Sequence, residues 1–228
     1  MNHHKRETAV VFGATGLVGS SLVKLLLNNA EYGKIKVVVR HPLALEHPEL
    51  EQILLADFEK LDEIRDRLKA TKYFCCIGTT IKKAGTKSAF RYIDLDIPVN
   101  IASLAEELGV SALAVVSSIG ADERSSSFYL TTKGEMEKKV GEIYSGKLVI
   151  LRPSLLMGAR EEFRLGERVA IFFMKLLGWL FVGALKKYKG VYANDVAGAM
   201  IEAVAEVGER RIIESDEISK MARVRGKE

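Results

Sequence analysis

Apolar residues along this chain follow two alternating rhythms. Short runs with no polar face stand at 8–12 (TAVVF), 34–39 (KIKVVV), 52–56 (QILLA), 73–77 (YFCCI), 113–116 (LAVV) and 148–151 (LVIL). Runs of this kind predict strands buried on both faces, as in a parallel sheet covered by helices on either side. Between them the apolar positions recur at helical spacing. Positions 17, 18, 22, 25 and 26 mark a helix over 17–29, and further helices are predicted at 61–68, 88–108 and 128–144. The stretch 88–108 is expected to bend near Pro98, because a proline ring removes a helical hydrogen bond. This alternation predicts a Rossmann-type α/β fold, a doubly wound parallel sheet. After Arg152 the alternation weakens. Only 194–205 then reads as a helix and 210–213 as a strand, so the tail is expected to add a small C-terminal lobe to one domain spanning 1–228. The last residues, 222–228, are expected to fray.

Composition narrows the class. A chain of 228 residues with 48% hydrophobic and 28% charged residues can bury a sizeable core, which excludes a largely disordered chain. A net charge of +4 suits an anionic ligand without calling for nucleic acid. Cys75 and Cys76 are adjacent inside an apolar run, which leaves no disulfide framework and no CxxC site. An intracellular, cytoplasmic protein is therefore expected. All four histidines (3, 4, 41 and 47) lie early in the chain, which argues against a hydrolase that uses a late histidine. The N-terminal residues lack a signal-peptide core, and no spacing suggests a metal site. Residues 169–185 (VAIFFMKLLGWLFVGAL) are apolar but broken by Lys175, Gly178 and Gly183. They fall short of the ~20 residues a membrane span needs, so a buried helix, a lid or a homodimer surface is the expected role.

The first strand runs into Gly13-Ala14-Thr15-Gly16-Leu17-Val18-Gly19, which opens the first helix. Glycines at this spacing let the chain turn tightly, let a pyrophosphate approach the amides and let helix pack close to strand. The helix N-terminus then offers unpaired N–H groups and partial positive charge. A dinucleotide site is expected, with 8–160 as its core and 161–228 as substrate-side or lid elements. The second strand ends at Val39 and Arg40. An acidic residue there would bind ribose hydroxyls, whereas an arginine accommodates a 2′-phosphate, so Arg40 points to NADP(H). Asp57 and Phe58, after the third strand, are placed to meet an adenine edge, although Asp57 equally suits a helix cap.

The fifth strand ends in Ser117-Ser118, and Tyr129 and Lys133 follow on the next helix. Residues four apart share a helical face. At the carboxyl end of a parallel sheet that face meets the strand-end serines. Carbonyl reduction needs a proton for oxygen as hydride reaches carbon. Tyrosine can supply it, and a lysine ammonium nearby favours the ionised phenol. The spacing alone is common, since Tyr32 and Lys36 also show it. Position sets Tyr129 apart, because a helix surrounds it and the serines precede it.

The glycine turn, the strand-end serines and the Tyr129–Lys133 pair resemble those of short-chain dehydrogenases/reductases. The runs at 74–85 (FCCIGTTIKKAG), 117–140 and 151–160 (LRPSLLMGAR) are similar to the atypical branch typified by HTATIP2. The resemblance implies phosphate contacts at Ala14 to Leu17, the 2′-phosphate at Arg40, and Ile77, Gly78 and Thr79 against the middle of the cofactor. It also implies Tyr129 as proton donor, Lys133 as its partner, and a loop with Arg152, Pro153 and Leu155 over the nicotinamide. Two departures stand out. Ile77-Gly78-Thr79 replaces the Asn-Asn-Ala-Gly common in the family, and Asp94 stands where many members carry asparagine. Ser117 and Ser118 both remain candidates for the substrate serine. The reading is an NADPH-dependent oxidoreductase acting on a small carbonyl or related substrate. Its rival is an NADP(H)-binding regulatory or scaffold protein without turnover.

Overall fold

The computed structural model describes residues 6–157, 190–206, 208 and 210–225. The chain begins with β1 (Glu7–Phe12), α1 (Leu17–Leu27), β2 (Tyr32–Val39) and β3 (Leu50–Leu54). A 3₁₀ helix (Phe58–Leu68), β4 (Lys72–Cys75) and the short α2 (Ile81–Ala84) follow. Then α3 (Lys87–Arg91), a π-helical turn (Tyr92–Asp96) and α4 (Ile97–Glu107) form one interrupted helix. The remaining elements are β5 (Ala112–Val116), α5 (Phe128–Ile143), β6 (Lys147–Arg152), β7 (Leu156–Met157), β8 (Val191–Tyr192), α6 (Ala193–Ala205), β9 (Arg210–Glu214) and α7 (Ser215–Arg225).

Seven strands pair in the order β3-β2-β1-β4-β5-β6-β9, and every pairing is parallel. The strands lack a polar face because successive side chains enter two different cores. Ala9, Val11, Val37, Ala114 and Leu151 meet Leu22 and Leu26 of α1 and Val196 and Met200 of α6. The alternate residues Val10, Phe12, Cys75, Val115 and Ile150 meet Ile101 and Leu104 of α4 and Met136 and Val140 of α5. Both layers are thus filled from one set of apolar runs.

Several expected boundaries move. β3 sits two residues earlier than 52–56, because pairing with β2 sets Ile35 against Leu50 and Val38 against the fully buried Ile53. The edge strand tolerates Glu51, whose carboxylate meets Lys34 at 2.7 Å and Arg67 at 3.1 Å. The bend expected near Pro98 takes the form of the π-turn just before it. There Ile97 N–H donates to the Tyr92 carbonyl. Pro98 has no N–H to offer the Asp94 carbonyl four residues back, so the helical ladder is already interrupted at that point. The described part of the tail packs on the main sheet. β9 completes the main sheet, α6 covers it, and α7 carries the helix to Arg225, through residues expected to fray. Residues 161–189 of the expected substrate-side or lid elements (161–228), and with them the apolar run 169–185, lie outside the described residues. No helix among the described residues is long and apolar enough to cross a membrane.

Candidate active site

The carboxyl ends of β1, β4 and β5 carry the candidate site. Gly13 adopts φ +83°, and a Cβ there would lie 2.7 Å from the Cys76 backbone, so the turn is pressed onto the end of β4. A Cβ on Gly19 would lie 2.2 Å from the Gly13 carbonyl oxygen, which lets α1 pack directly on the turn. α1 starts after Gly16 without a side-chain cap and without an acid in its first turn. Ala14 and Val18 are buried, whereas Thr15 is exposed and Leu17 half-buried. A cradle that any Cβ would fill, backed by uncapped amides, fits a dinucleotide pyrophosphate.

Arg40 is exposed just past β2 and pairs with no described residue. Its guanidinium is therefore available to an anion. Asp57 realises its capping alternative, since its Oδ1 accepts from the Glu59 N–H at 3.0 Å. Phe58 is half-buried against the α4 and α5 core.

Tyr129 and Lys133 occupy successive turns of α5. The Tyr129 ring lies 5.6 Å from that of the fully buried Phe90. Lys133 is only 3% exposed, and its Nζ lies 2.8 Å from Asp94 Oδ1. The other carboxylate oxygen, Oδ2, accepts from the Thr79 N–H at 2.8 Å. Gly78 leaves room for this cluster, because its absent Cβ would lie 3.3 Å from Asp94 Oδ1 and 3.8 Å from Lys133 Nζ. Burial is the largest single influence on the Lys133 ammonium and acts to release its proton. Asp94, with a smaller contribution from Tyr129, outweighs it and holds the group above the ordinary lysine range.

The two serines have different fates. Ser117 is buried, and its hydroxyl donates to Glu137 Oε1 at 2.5 Å. Ser118 is half-buried, and among the described residues its hydroxyl makes only a long contact to the Ile119 carbonyl, at 3.4 Å. Glu137 also receives Arg152, with Nη2 at 2.6 Å and Nε at 3.0 Å. A third Arg152 nitrogen, Nη1, meets Glu214 at 3.1 Å. The Arg152 guanidinium thus ties α5, β6 and β9 together. Pro153 is buried, and its carbonyl accepts from Ile119 N–H at 3.0 Å, which links the loops after β5 and β6. Leu155 is 38% exposed, and its carbonyl accepts from Val191 N–H at the start of β8.

Lys133, Asp94, Gly78 and Thr79 therefore meet at one point, and Tyr129 is one helical turn away. Glu137 was not among the expected residues. Its signal was present, since Tyr129, Lys133 and Glu137 stand four apart on one helical face.

Comparison with known proteins agrees with this geometry. A family model described as NAD(P)H-binding matches residues 13–162. Protein HTATIP2 of Rattus norvegicus is 36% identical over 169 residues, which cover 73% of this chain and 69% of that protein. The mitochondrial protein FMP52 of Coccidioides immitis is 32% identical over 212 residues, covering 86% of this chain and 85% of that protein. Among solved structures, the Bordetella bronchiseptica enzyme WbmH in complex with NAD+ has a TM-score of 0.69 at 16% identity, over 96% of this chain and 81% of that one. A Thermus thermophilus UDP-glucose 4-epimerase complex with NAD gives 0.66 at 20% identity, over 96% and 83%. At such identities these two likenesses speak for the fold alone. Fold, glycine turn and family match together define an NAD(P)H-binding Rossmann protein of the short-chain dehydrogenase/reductase type. Within that class the chain belongs to the atypical branch that contains HTATIP2 and FMP52.

Proposed function

We propose that this chain is an NADPH-dependent oxidoreductase acting on a small carbonyl compound or a related substrate. The observation that carries the reading is Tyr129 one turn before a buried Lys133, whose ammonium abuts Asp94 beside Gly78. In this reading the amides of Ala14, Thr15, Gly16 and Leu17 hold the pyrophosphate, and Arg40 holds the 2′-phosphate. Ile77, Gly78 and Thr79 border the middle of the cofactor, and Pro153 and Leu155 border its nicotinamide end. A bound, reduced nicotinamide supplies hydride. Tyr129 Oη gives its proton to the carbonyl oxygen as the new carbon–hydrogen bond forms, so the product is an alcohol and the phenol is reprotonated from solvent. Lys133 keeps positive charge beside that phenol. Ser118 donates a hydrogen bond to the same oxygen. It is preferred to Ser117, whose hydroxyl is already given to Glu137.

The test begins with paired titrations of NADPH and NADH, followed by a screen of small aldehydes and ketones. Tight NADPH with weaker NADH is expected. Tyr129→Phe should lower turnover by about 10²–10⁴-fold, the range for losing a general acid, while the NADPH Kd moves little. Full turnover in Tyr129→Phe would remove Tyr129 from the mechanism. NADPH binding without turnover on any carbonyl would favour the regulatory alternative. A cytoplasmic location is our expectation from the cysteine usage. The FMP52 relative is described as mitochondrial, and fractionation decides between the two compartments.

A further inference from the structure

We propose that Asp94 is a positioning residue that sets the charge of this site: it holds Lys133 as a fixed cation and anchors the loop after β4 to α5. The inference rests on the reading of Tyr129 and Lys133 as the working pair.

Three pieces of chain converge on one carboxylate. Asp94 is 1% exposed and projects from the π-turn. Its Oδ2 takes the Thr79 amide and its Oδ1 faces Lys133 Nζ, both at 2.8 Å. Gly78 packs against this pair, since a Cβ there would lie 3.3 Å from Asp94 Oδ1, a tight contact. The π-turn belongs to the same device. It falls where Pro98 has already cost the helix a hydrogen bond, and it carries Asp94 into the interior. A neutral amide at this position could still accept the Thr79 N–H. It could not supply the negative charge that keeps a buried ammonium protonated.

The consequence is electrostatic. The groups that face Lys133 are Asp94 from the π-turn, Tyr129 from its own helix and Cys75 from β4. The Cys75 thiol is pushed up to about 11 by burial, so it stays neutral around pH 7 and leaves Asp94 as the counter-charge. Tyr129 therefore works beside a neutralised ion pair rather than a bare ammonium. Lys133 keeps its proton through the working range and does not relay it, so the Tyr129 proton is replaced by another route.

Asp94→Asn removes the charge and nearly preserves the shape. In protein carrying ¹³C-labelled lysine, with the Lys133 resonance assigned through Lys133→Arg, the Asn variant should titrate at least about one pH unit below wild type. The sign follows from the charge: without the carboxylate, burial governs, and the ammonium releases its proton more easily. The alkaline limb of the turnover profile should move down in pH with it, while NADPH affinity stays within about threefold. An unmoved Lys133 titration overturns the proposal. Full turnover in Tyr129→Phe overturns the catalytic reading instead and leaves the titration result standing. A stability test covers the case in which Asp94→Asn folds poorly. Lys133→Met strands a buried carboxylate, and adding Asp94→Asn relieves it, so the double variant should melt above Lys133→Met. A double variant that melts no higher also overturns the proposal.

Discussion

Replacing Glu137 by glutamine breaks the buried network beneath the candidate site, and the structure allows the cost to be worked out. The Glu137 carboxylate receives Ser117 Oγ at 2.5 Å, Arg152 Nη2 at 2.6 Å and Arg152 Nε at 3.0 Å. Its side chain is 7% exposed, against 21% for Arg152. A glutamine oxygen can replace one carboxylate oxygen and the bonds it accepts, but the NH2 group that replaces the other turns donors toward Arg152 or Ser117. Hydrogen bonding to Glu137 raises the Arg152 guanidinium well above the ordinary arginine value, against its burial. Arginine does not lose its proton in proteins, so the stranded charge cannot be relieved that way. Breaking a fully buried pair costs about 3–5 kcal/mol. Arg152 retains the more exposed Glu214 at 3.1 Å, so about 2–4 kcal/mol is expected here. For a chain of 228 residues that is a fall in Tm of about 4–16 °C. Thermal and urea unfolding followed by circular dichroism would read it, with the urea slope unchanged if only stability moves. Ser117→Ala removes a donor and strands no charge, so it should cost about 1 kcal/mol and leave NADPH affinity intact. A Glu137→Gln protein melting within about 2 °C of wild type would refute the argument.

Three further outcomes follow from the same geometry. Gly19→Ala forces a methyl against the Gly13 carbonyl, and backbone cannot give way as a side chain does; about 1–3 kcal/mol of stability and more than about tenfold in NADPH affinity should be lost, read by melting and titration. Arg40→Ala should leave Tm unchanged, because the side chain is exposed and pairs with no described residue, while lowering NADPH affinity about tenfold or more and sparing NADH; equal losses for both cofactors would remove Arg40 from the 2′-phosphate site. Burial pushes the fully buried Cys75 thiol up to about 11, so it should not react with a neutral-pH alkylating reagent in native protein and should react in urea.

How far the sequence reveals the fold depends on which forces act locally. The buried strands announce themselves because both of their faces must be apolar, and Val10 and Val11 are read alike although they enter different cores. β3 is displaced because its position is decided by partners. Glu51 looks like a break in an apolar run until Lys34 and Arg67 are found beside it. α7 was missed for a related reason. Its sequence is too polar to stand out, and Ile218 is the one buried apolar residue among its described side chains, beside the buried Ser215.

The site divides along the same line. Glycines 13, 16 and 19 and the pair Tyr129 and Lys133 are visible because their spacing within one segment is what their geometry requires. The choice between Ser117 and Ser118 is invisible, because adjacent residues point opposite ways and only Glu137, twenty residues on, reveals which hydroxyl is taken. The partners of Arg152 are invisible for the same reason, since its guanidinium meets two acids from separate elements, Glu137 of α5 and Glu214 of β9. Asp94 shares this difficulty. A carboxylate in an apolar helix seems out of place until the π-turn brings it to Lys133 and the Thr79 amide. A polar residue that looks wrong in its own segment is therefore informative, since burying it is costly unless a distant partner is waiting.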